Sequence, residues 1–273
     1  MNSRVDSRRW HSIQQWGVGF FKKLIGIFLL LICWQISVPL INLESYFYPA
    51  PYDVWLAFID LLSKGILHSY LLDSTGRYLL GLFTGVSLAL LLGVLIALNQ
   101  TVAKAFLPLI NFLFAIVEVA WIPLFVMWFG YGLTTIVVAL TYVAFFPMLF
   151  NTMSGIQTTP PVYINAAKTL GAGPWALIAQ VYLPSALPQI LTGLRTSAGF
   201  TFRGLIFSEM IASKSGIGFL IFEGSTNQQT ARTIVGMICM GLAWMFLDLF
   251  YIKPIEKATV VRWGMLKTAE NAS

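Results

Sequence analysis

A chain of 273 residues that is 58% hydrophobic and only 10% charged, with a mean hydropathy of +0.78, has too few charged side chains to cover a soluble globule of its size. Its net charge of +6 is not organised as a basic domain interleaved with aromatic residues, which argues against a nucleic-acid-binding protein. What remains is an all-α membrane protein, because the apolar runs are continuous rather than alternating and far exceed the length of a barrel strand.

Residues 1–23 form a basic arm with Arg4, Arg8, Arg9, Lys22 and Lys23, and its Trp10, Trp16, Phe20 and Phe21 suit the membrane interface. Six transmembrane helices are expected after it, at 24–43, 78–98, 105–129, 133–153, 190–212 and 233–252, each near the ~20 residues that a bilayer core requires. The first run is longer than the apolar region of a signal peptide and lacks a small-residue cleavage site, so it is expected to stay as a helix. Cys33 and Cys239 fall inside predicted spans and read as apolar packing residues, not as a disulfide.

Three connections carry more than a turn. In 44–77, Val54, Phe58, Leu61 and Leu62 recur at helical spacing while Asp53, Asp60 and Lys64 face elsewhere, which predicts a short helix lying along the outer surface. In 213–231, a glycine-bounded apolar patch is too short to span and reads as a re-entrant or interfacial piece at the outer mouth of a pathway. The third, 154–189, contains INAAKTLGAGPWALIAQVYLP. Here Val162–Leu170 can form a helix stopped by a left-handed cap at Gly171, and a second short helix starts at Pro174 and runs through Tyr182 until Pro184 ends it. Ala166 and Ala167 leave the first of these helices with a flat, small face.

Lysine and arginine placement orients the chain. The N-terminal arm, Lys104, Lys168 and the tail residues Lys253, Lys257, Arg262 and Lys267 outnumber Lys64, Arg77, Lys214 and Arg232 on the other side, so both termini and 154–189 are expected in the cytoplasm. The chain thus divides into the arm 1–23, a transmembrane domain 24–252 and a cytoplasmic tail 253–273. Within it, Pro123 predicts a bend in the third span, and Gly81 with Gly85 forms a small-xxx-small face for helix packing.

Chemical motifs are few. There is no G-x-x-x-x-G-K-[ST] loop, no H-E-x-x-H, no G-x-S-x-G and no Cys/His metal spacing, so neither a catalytic residue nor a metal ligand is assigned and a membrane enzyme is unsupported. Ionisable residues inside spans are expensive, by about 2.5–3.5 kcal/mol at mid-bilayer, and so mark function or internal pairing. Glu118 lies centrally in the third span; Arg195, Arg203 and Glu209 lie along the fifth. Arg203 and Glu209 are about 240° apart around a helix and so look toward other helices or a wet cavity. Two readings stay open for Glu118 and Arg203: a buried ion pair with each other, or a place on a substrate path. Arg195 is near enough to the cytoplasmic end to snorkel.

The spacing of Ala166, Ala167, Gly171, Val181, Leu183 and Pro184 resembles the EAA loop of ABC importer permeases. Together with AWIPLFVMWFG upstream, PSALPQILTGLR following, and EMIASKSGIGFLI and VVRWGML downstream, the chain is similar over 48–266 to the nitrate, sulfonate, taurine and bicarbonate branch of that family. Asn165 stands where the family's loop has glutamate and Val181 where isoleucine is usual; Ile116, Val117 and Glu118 stand where related permeases often carry prolines.

The resemblance implies a MetI-like permease fold in a bacterial inner membrane, passing a small anion or sulfonate. It assigns Asn165, Ala166, Ala167, Lys168, Gly171, Leu183 and Pro184 to contact with a separate ATPase. Glu118, Trp121, Arg203 and Glu209, inside the spans, are the candidates for the substrate path, where a carboxylate can balance an arginine or meet the amino group of a zwitterion such as taurine. The resemblance further implies two ATPase subunits that bind ATP and magnesium themselves, a second permease copy forming a homodimer, a periplasmic or extracellular substrate-binding protein, surrounding membrane lipid, and no cofactor in this chain. The competing expectation is an ATP-independent secondary transporter, against which stands the lack of a visible inverted repeat with paired broken spans.

Overall fold

The structure, a computed structural model, describes residues 28–40 and 47–252 together with positions 26, 44 and 254. The basic arm and, apart from Pro254, the tail with VVRWGML lie outside the described residues. The described chain is helical: α1 (Phe28–Leu40), α2 (Pro51–Ser63), α3 (Ile66–Leu98), α4 (Gln100–Ala115), a 3₁₀ turn at Glu118–Trp121, α5 (Ile122–Phe129), α6 (Leu133–Gln157), α7 (Pro161–Thr169), α8 (Pro174–Leu177), α9 (Leu183–Ala212), α10 (Ile217–Thr226) and α11 (Thr230–Leu247).

Four helical runs are long and apolar enough to cross a bilayer: α3, α6, Pro174–Ala212 and Thr230–Phe250. A fifth results if α4 and the segment Glu118–Phe129, bent by 91°, count as one span. Of the expected span 24–43, position 26 and α1 are described, and the rest lies outside the described residues.

Several predicted boundaries move. The second span starts at Ile66, not near 78, because the polar Asp73, Ser74 and Arg77 are carried on helix and satisfied there. The break in the third span falls at Ile116 and Val117, ahead of Pro123. Pro108 sits inside α4, and Pro123 occupies the first turn of α5, where its missing N–H leaves no bond unmade. Tyr142 of α6 supports the break by donating its hydroxyl at 2.6 Å to the Leu113 carbonyl, which also accepts the Ile116 N–H at 3.1 Å. Pro184 does not end the second short helix. It lies in the first turn of α9, into which α8 runs through a π turn at Ile178–Tyr182, giving one run of 39 residues from Pro174 to Ala212.

The core is a three-helix layer with α6 in the middle, packed along α3 on one side and α9 on the other. Small residues bring the axes together. A Cβ at Gly81 would collide with the Leu140 side chain, and one at Gly85 would lie 2.6 Å from the Ala144 Cβ. Gly193 and Gly204 of α9 meet Asn151 and Val143 of α6 in the same way. Thr84 and Thr141 add a hydroxyl pair at 2.6 Å across the α3–α6 seam.

Helix α2 opens with Pro51 and with the Asp53 carboxylate accepting the Ala50 N–H at 3.0 Å. It buries Val54 and Leu61 against the bundle, so the predicted short helix is present. Asp60 pairs with Lys64 at 2.6 Å and with Arg232 of α11 at 3.3 Å, tying α2 to α11. The Lys64 hydrogen bond holds the Asp60 carboxyl below the usual carboxylate range.

Candidate functional site

Two sets of sequence-predicted residues and one unforeseen cluster stand out. The first is the loop between α6 and α9. Pro161 opens α7, and Lys168 lies in its last turn, where a cation suits the negative end of the helix dipole. The stop is a complete Schellman motif: Gly171 adopts φ +82°, the Gly171 N–H donates to the Lys168 carbonyl at 3.0 Å and the Ala172 N–H to the Ala167 carbonyl at 3.0 Å. Gly173 and Pro174 then start α8, so α7 and α8 form an elbow at the foot of α9.

Asn165, Ala166, Lys168 and Gly171 are exposed, Ala167 is half-buried, and Leu183 and Pro184 are half-buried where α9 begins. Sequence reasoning missed the residues that jut out most. Leu170, at the cap itself, is 88% exposed, and Trp175 is 83% exposed, with Val162 and Tyr163 also open. Together they form an apolar knob outside the bundle. The signal for it was in the sequence, as bulky apolar residues directly flanking the G-x-G of the cap.

The second set is scattered along the bundle. Glu118 starts the 3₁₀ turn after the break and is half-buried. Trp121 stacks on Phe125 at 5.8 Å and leans on Tyr142 at 5.5 Å, and its indole Nε1 is buried without a hydrogen-bond partner among the described residues. Arg203 is exposed on α9, with its guanidinium 5.9 Å from the Phe200 ring centroid.

Glu118 and Arg203 make no ion pair with each other among the described residues. Arg195 is not simply snorkelling, for it pairs with Asp248 at 3.6 Å. Arg203 is therefore the spanning-helix arginine that has no carboxylate partner among the described residues, whereas Arg77 and Arg195 each have one.

Glu209 behaves differently. It is fully buried and saturated: Ser74 Oγ donates to both its oxygens at 2.8 and 2.9 Å, Arg77 Nη1 donates at 2.8 Å and the Gly218 N–H at 2.9 Å. Arg77 also donates to the Ser215 carbonyl and hydroxyl, both at 2.7 Å, and the Ser215 hydroxyl donates to Asp73 at 2.6 Å. The cluster joins α3, α9 and the start of α10. Its members Asp73, Ser74, Arg77 and Ser215 were not foreseen, because the apolar run of α3 is conspicuous only from Tyr78 onward and Arg77 falls one residue outside it. Paired carboxylate and guanidinium, both withdrawn from water, are what a spanning segment tolerates. Among the described residues no group of His, Cys, Asp and Glu is arranged to hold a metal ion.

Comparison with known proteins gives a consistent neighbourhood. Residues 85–252 match the family described as "Binding-protein-dependent transport system inner membrane component". Among similar proteins, the putative aliphatic sulfonates transport permease SsuC of Bacillus subtilis (strain 168) is 29% identical over 245 residues, covering 90% of this chain and 88% of its own. The taurine transport system permease TauC of Escherichia coli (strain K12) is 29% identical, covering 81% and 82%. The riboflavin transport system permease RibX of Chloroflexus aurantiacus is 30% identical, covering 88% of each.

Proposed function

The chain belongs to the binding-protein-dependent transport system inner membrane components, as a multi-pass permease subunit of an ABC importer, and from that membership we propose that it carries a small sulfonate or oxyanion inward at the expense of ATP hydrolysed by partner subunits. The observation that supports an anion is Arg203, a mid-span cation open on the subunit surface with no carboxylate partner among the described residues. Exposed to hydrocarbon it would cost several kcal/mol, about 2.5–3.5 on insertion scales, so its face lines a wet path, where the positive charge favours an anionic group. Glu118 and Trp121 belong to the same path, with Glu118 available to the ammonium of an aminosulfonate such as taurine. Glu209, saturated by its neighbours, supports the wall of the path.

The arrangement proposed around it is a homodimer of six-span subunits with cytoplasmic termini, the run 24–43 supplying the first span and 1–23 and 253–273 the flanking arm and tail. Two ATPase subunits seat on the 162–184 elbow through Leu170, Trp175 and the faces of Asn165, Ala166, Ala167 and Lys168. A binding protein delivers substrate to the opposite side. Closure of the ATPase pair pushes the elbow, and because α8 continues into α9, the push tilts a spanning helix as a rigid body. With Asn165 in place of a carboxylate, seating rests on shape and the Gly171 cap rather than on an ion pair.

The test is ATP-dependent uptake of labelled taurine into liposomes holding the permease, its ATPase and its binding protein. Uptake that needs all three components and falls when Arg203 is replaced by glutamine supports the reading. Uptake by the permease alone, without ATPase, would establish a secondary transporter instead.

A further inference from the structure

We propose that the cluster of Glu209, Arg77, Ser74 and the Ser213–Gly218 turn is the pin that makes α10 follow α9, so that Arg77 is a positioning residue for transport. This rests on the reading of the 162–184 elbow as the ATPase seat.

Continuity is the first support. Glu209 lies about 39 Å along the axis from Leu183 at 1.5 Å per residue, and no loop interrupts the run Pro174–Ala212 between the elbow and the cluster. Whatever tilts the foot of α9 therefore displaces Glu209 unless the helix bends.

The grip on α10 is the second. Glu209 holds the first backbone donors of that helix, the Gly218 N–H directly at 2.9 Å and the Ile217 N–H through Ser74 Oγ, itself 2.9 Å from Ile217 N. Backbone groups cannot swing away as a side chain does, so displacing Glu209 drags the start of α10 with it. A carboxylate at a helix N-terminus is also favoured by the helix dipole and by the otherwise unpaired N–H groups.

Close approach is the third. A Cβ at Gly218 would lie 2.7 Å from the Glu209 Cβ and 2.7 Å from the Ile206 carbonyl oxygen, and one at Gly216, at φ +103°, would strike the Glu209 carboxylate. The turn is shaped around this carboxylate.

Arg77 completes the knot. Its guanidinium bridges Glu209 on one side and the Ser215 carbonyl and hydroxyl on the other, so the 213–218 turn is held from α3 as well as from α9. Without it, Glu209 keeps only neutral donors, and the turn is left tied to α3 by the Ser215 hydroxyl on Asp73 and the Ile217 N–H on Ser74 alone. α10 then retains its apolar contacts but not the fixed geometry that transmits motion.

The measurement is made on the full complex with its ATPase in lipid nanodiscs, with native Cys33 and Cys239 replaced and spin labels placed on cysteines at exposed positions. One pair, Gln100 with Ile211, reports the end of α9; the other, Gln100 with Ser225, reports α10. Distances are compared without nucleotide and with ATP trapped by vanadate, so no transported ligand is needed. In the otherwise native chain both pairs shift. In Arg77→Gln the Ile211 pair still shifts and the Ser225 shift is reduced, with ATPase co-purification and basal hydrolysis unchanged. An undiminished Ser225 shift in Arg77→Gln would overturn the proposal, as would loss of the assembled complex in that variant, which would make the cluster a folding element.

Ser215→Ala, which leaves Glu209 and Arg77 paired, gives a gentler version. The Ser225 shift shrinks while the Ile211 shift persists, and an unchanged Ser225 shift counts against the pin. Should neither pair shift in the native chain, it is the seating of the ATPase on the elbow that fails, and the pin with it.

Discussion

Two glycines in the same elbow allow the seating of the ATPase to be tested at a single dihedral. Gly171 and Gly173 both face open space, with nothing within 4 Å of where a Cβ would stand, so alanine meets no steric obstacle at either. They differ in backbone: Gly171 sits at φ +82° and Gly173 at φ −74°. Alanine at a left-handed position costs about 1–2 kcal/mol, whereas at Gly173 it fits the existing conformation without strain.

An undocked elbow can relax away from the strained cap, and a docked one must rebuild it. Gly171→Ala therefore lowers the affinity of the ATPase for the permease by about 5- to 30-fold at about 1.4 kcal/mol per decade, while Gly173→Ala leaves it unchanged. The assay is titration of the ATPase subunit onto nanodisc-held permease, with the thermal midpoint of the permease alone as a control that should not move. Equal affinities for the two variants, or a larger loss in Gly173→Ala, would refute the argument that the Schellman cap presents the seat.

Further outcomes follow from the same geometry. Trp175→Ala, removing an indole that is 83% exposed outside the bundle, weakens ATPase binding by about 2 kcal/mol or more if it fills a groove as an anchor, and leaves the melting of the isolated permease unaltered. Gly85→Val forces a side chain into a gap where a Cβ already lies 2.6 Å from Ala144 and 2.7 Å from the Thr141 carbonyl; it destabilises the α3–α6 seam by about 1–3 kcal/mol, read as a lower midpoint in detergent. Asp60 has its carboxyl held down by Lys64, so its contribution is present above the ordinary aspartate range and is lost as pH falls through the depressed value; the melting difference between the native chain and Asp60→Asn should close on acidification. Arg203→Gln lowers anion uptake while leaving ATPase docking intact, measured by labelled taurine uptake and by co-purification.

The legible parts of this chain are those governed by short-range rules. The cap at Gly171 is readable because a left-handed residue after a short alanine-bearing helix calls for glycine and little else. α2 is readable from Val54, Phe58 and Leu61, whose spacing repeats each helical turn. Gly81 and Gly85 announce a close helix contact, although only the structure names α6 as the partner. The break near Glu118 is misplaced by sequence because proline signals are ambiguous. Pro123 can kink a helix or begin one, and here it begins one, with the break ahead of it braced from another helix by the Tyr142 hydroxyl on the Leu113 carbonyl.

Pro184 misleads for the same reason, since a proline after a stretch of weak helix looks like a stop when the following run is taken to start afresh at 190. Arg77 reads as a loop residue because its charge closes the apolar window, and that charge is tolerated on a helix only where Glu209 meets it.

Composition and spacing alone determined that the chain lives in a membrane, that it is helical and that a left-handed cap stops α7 at Gly171, because hydrocarbon thickness, backbone hydrogen bonding and cap geometry act on neighbours in sequence. Tertiary structure decided which charges pair. Glu209 is separated by 132 residues from Arg77 and closes on it, while Arg203, six residues earlier on the same helix, is left open. The cost of burying a charge depends on what lies across the gap, and no spacing within one helix specifies its neighbour.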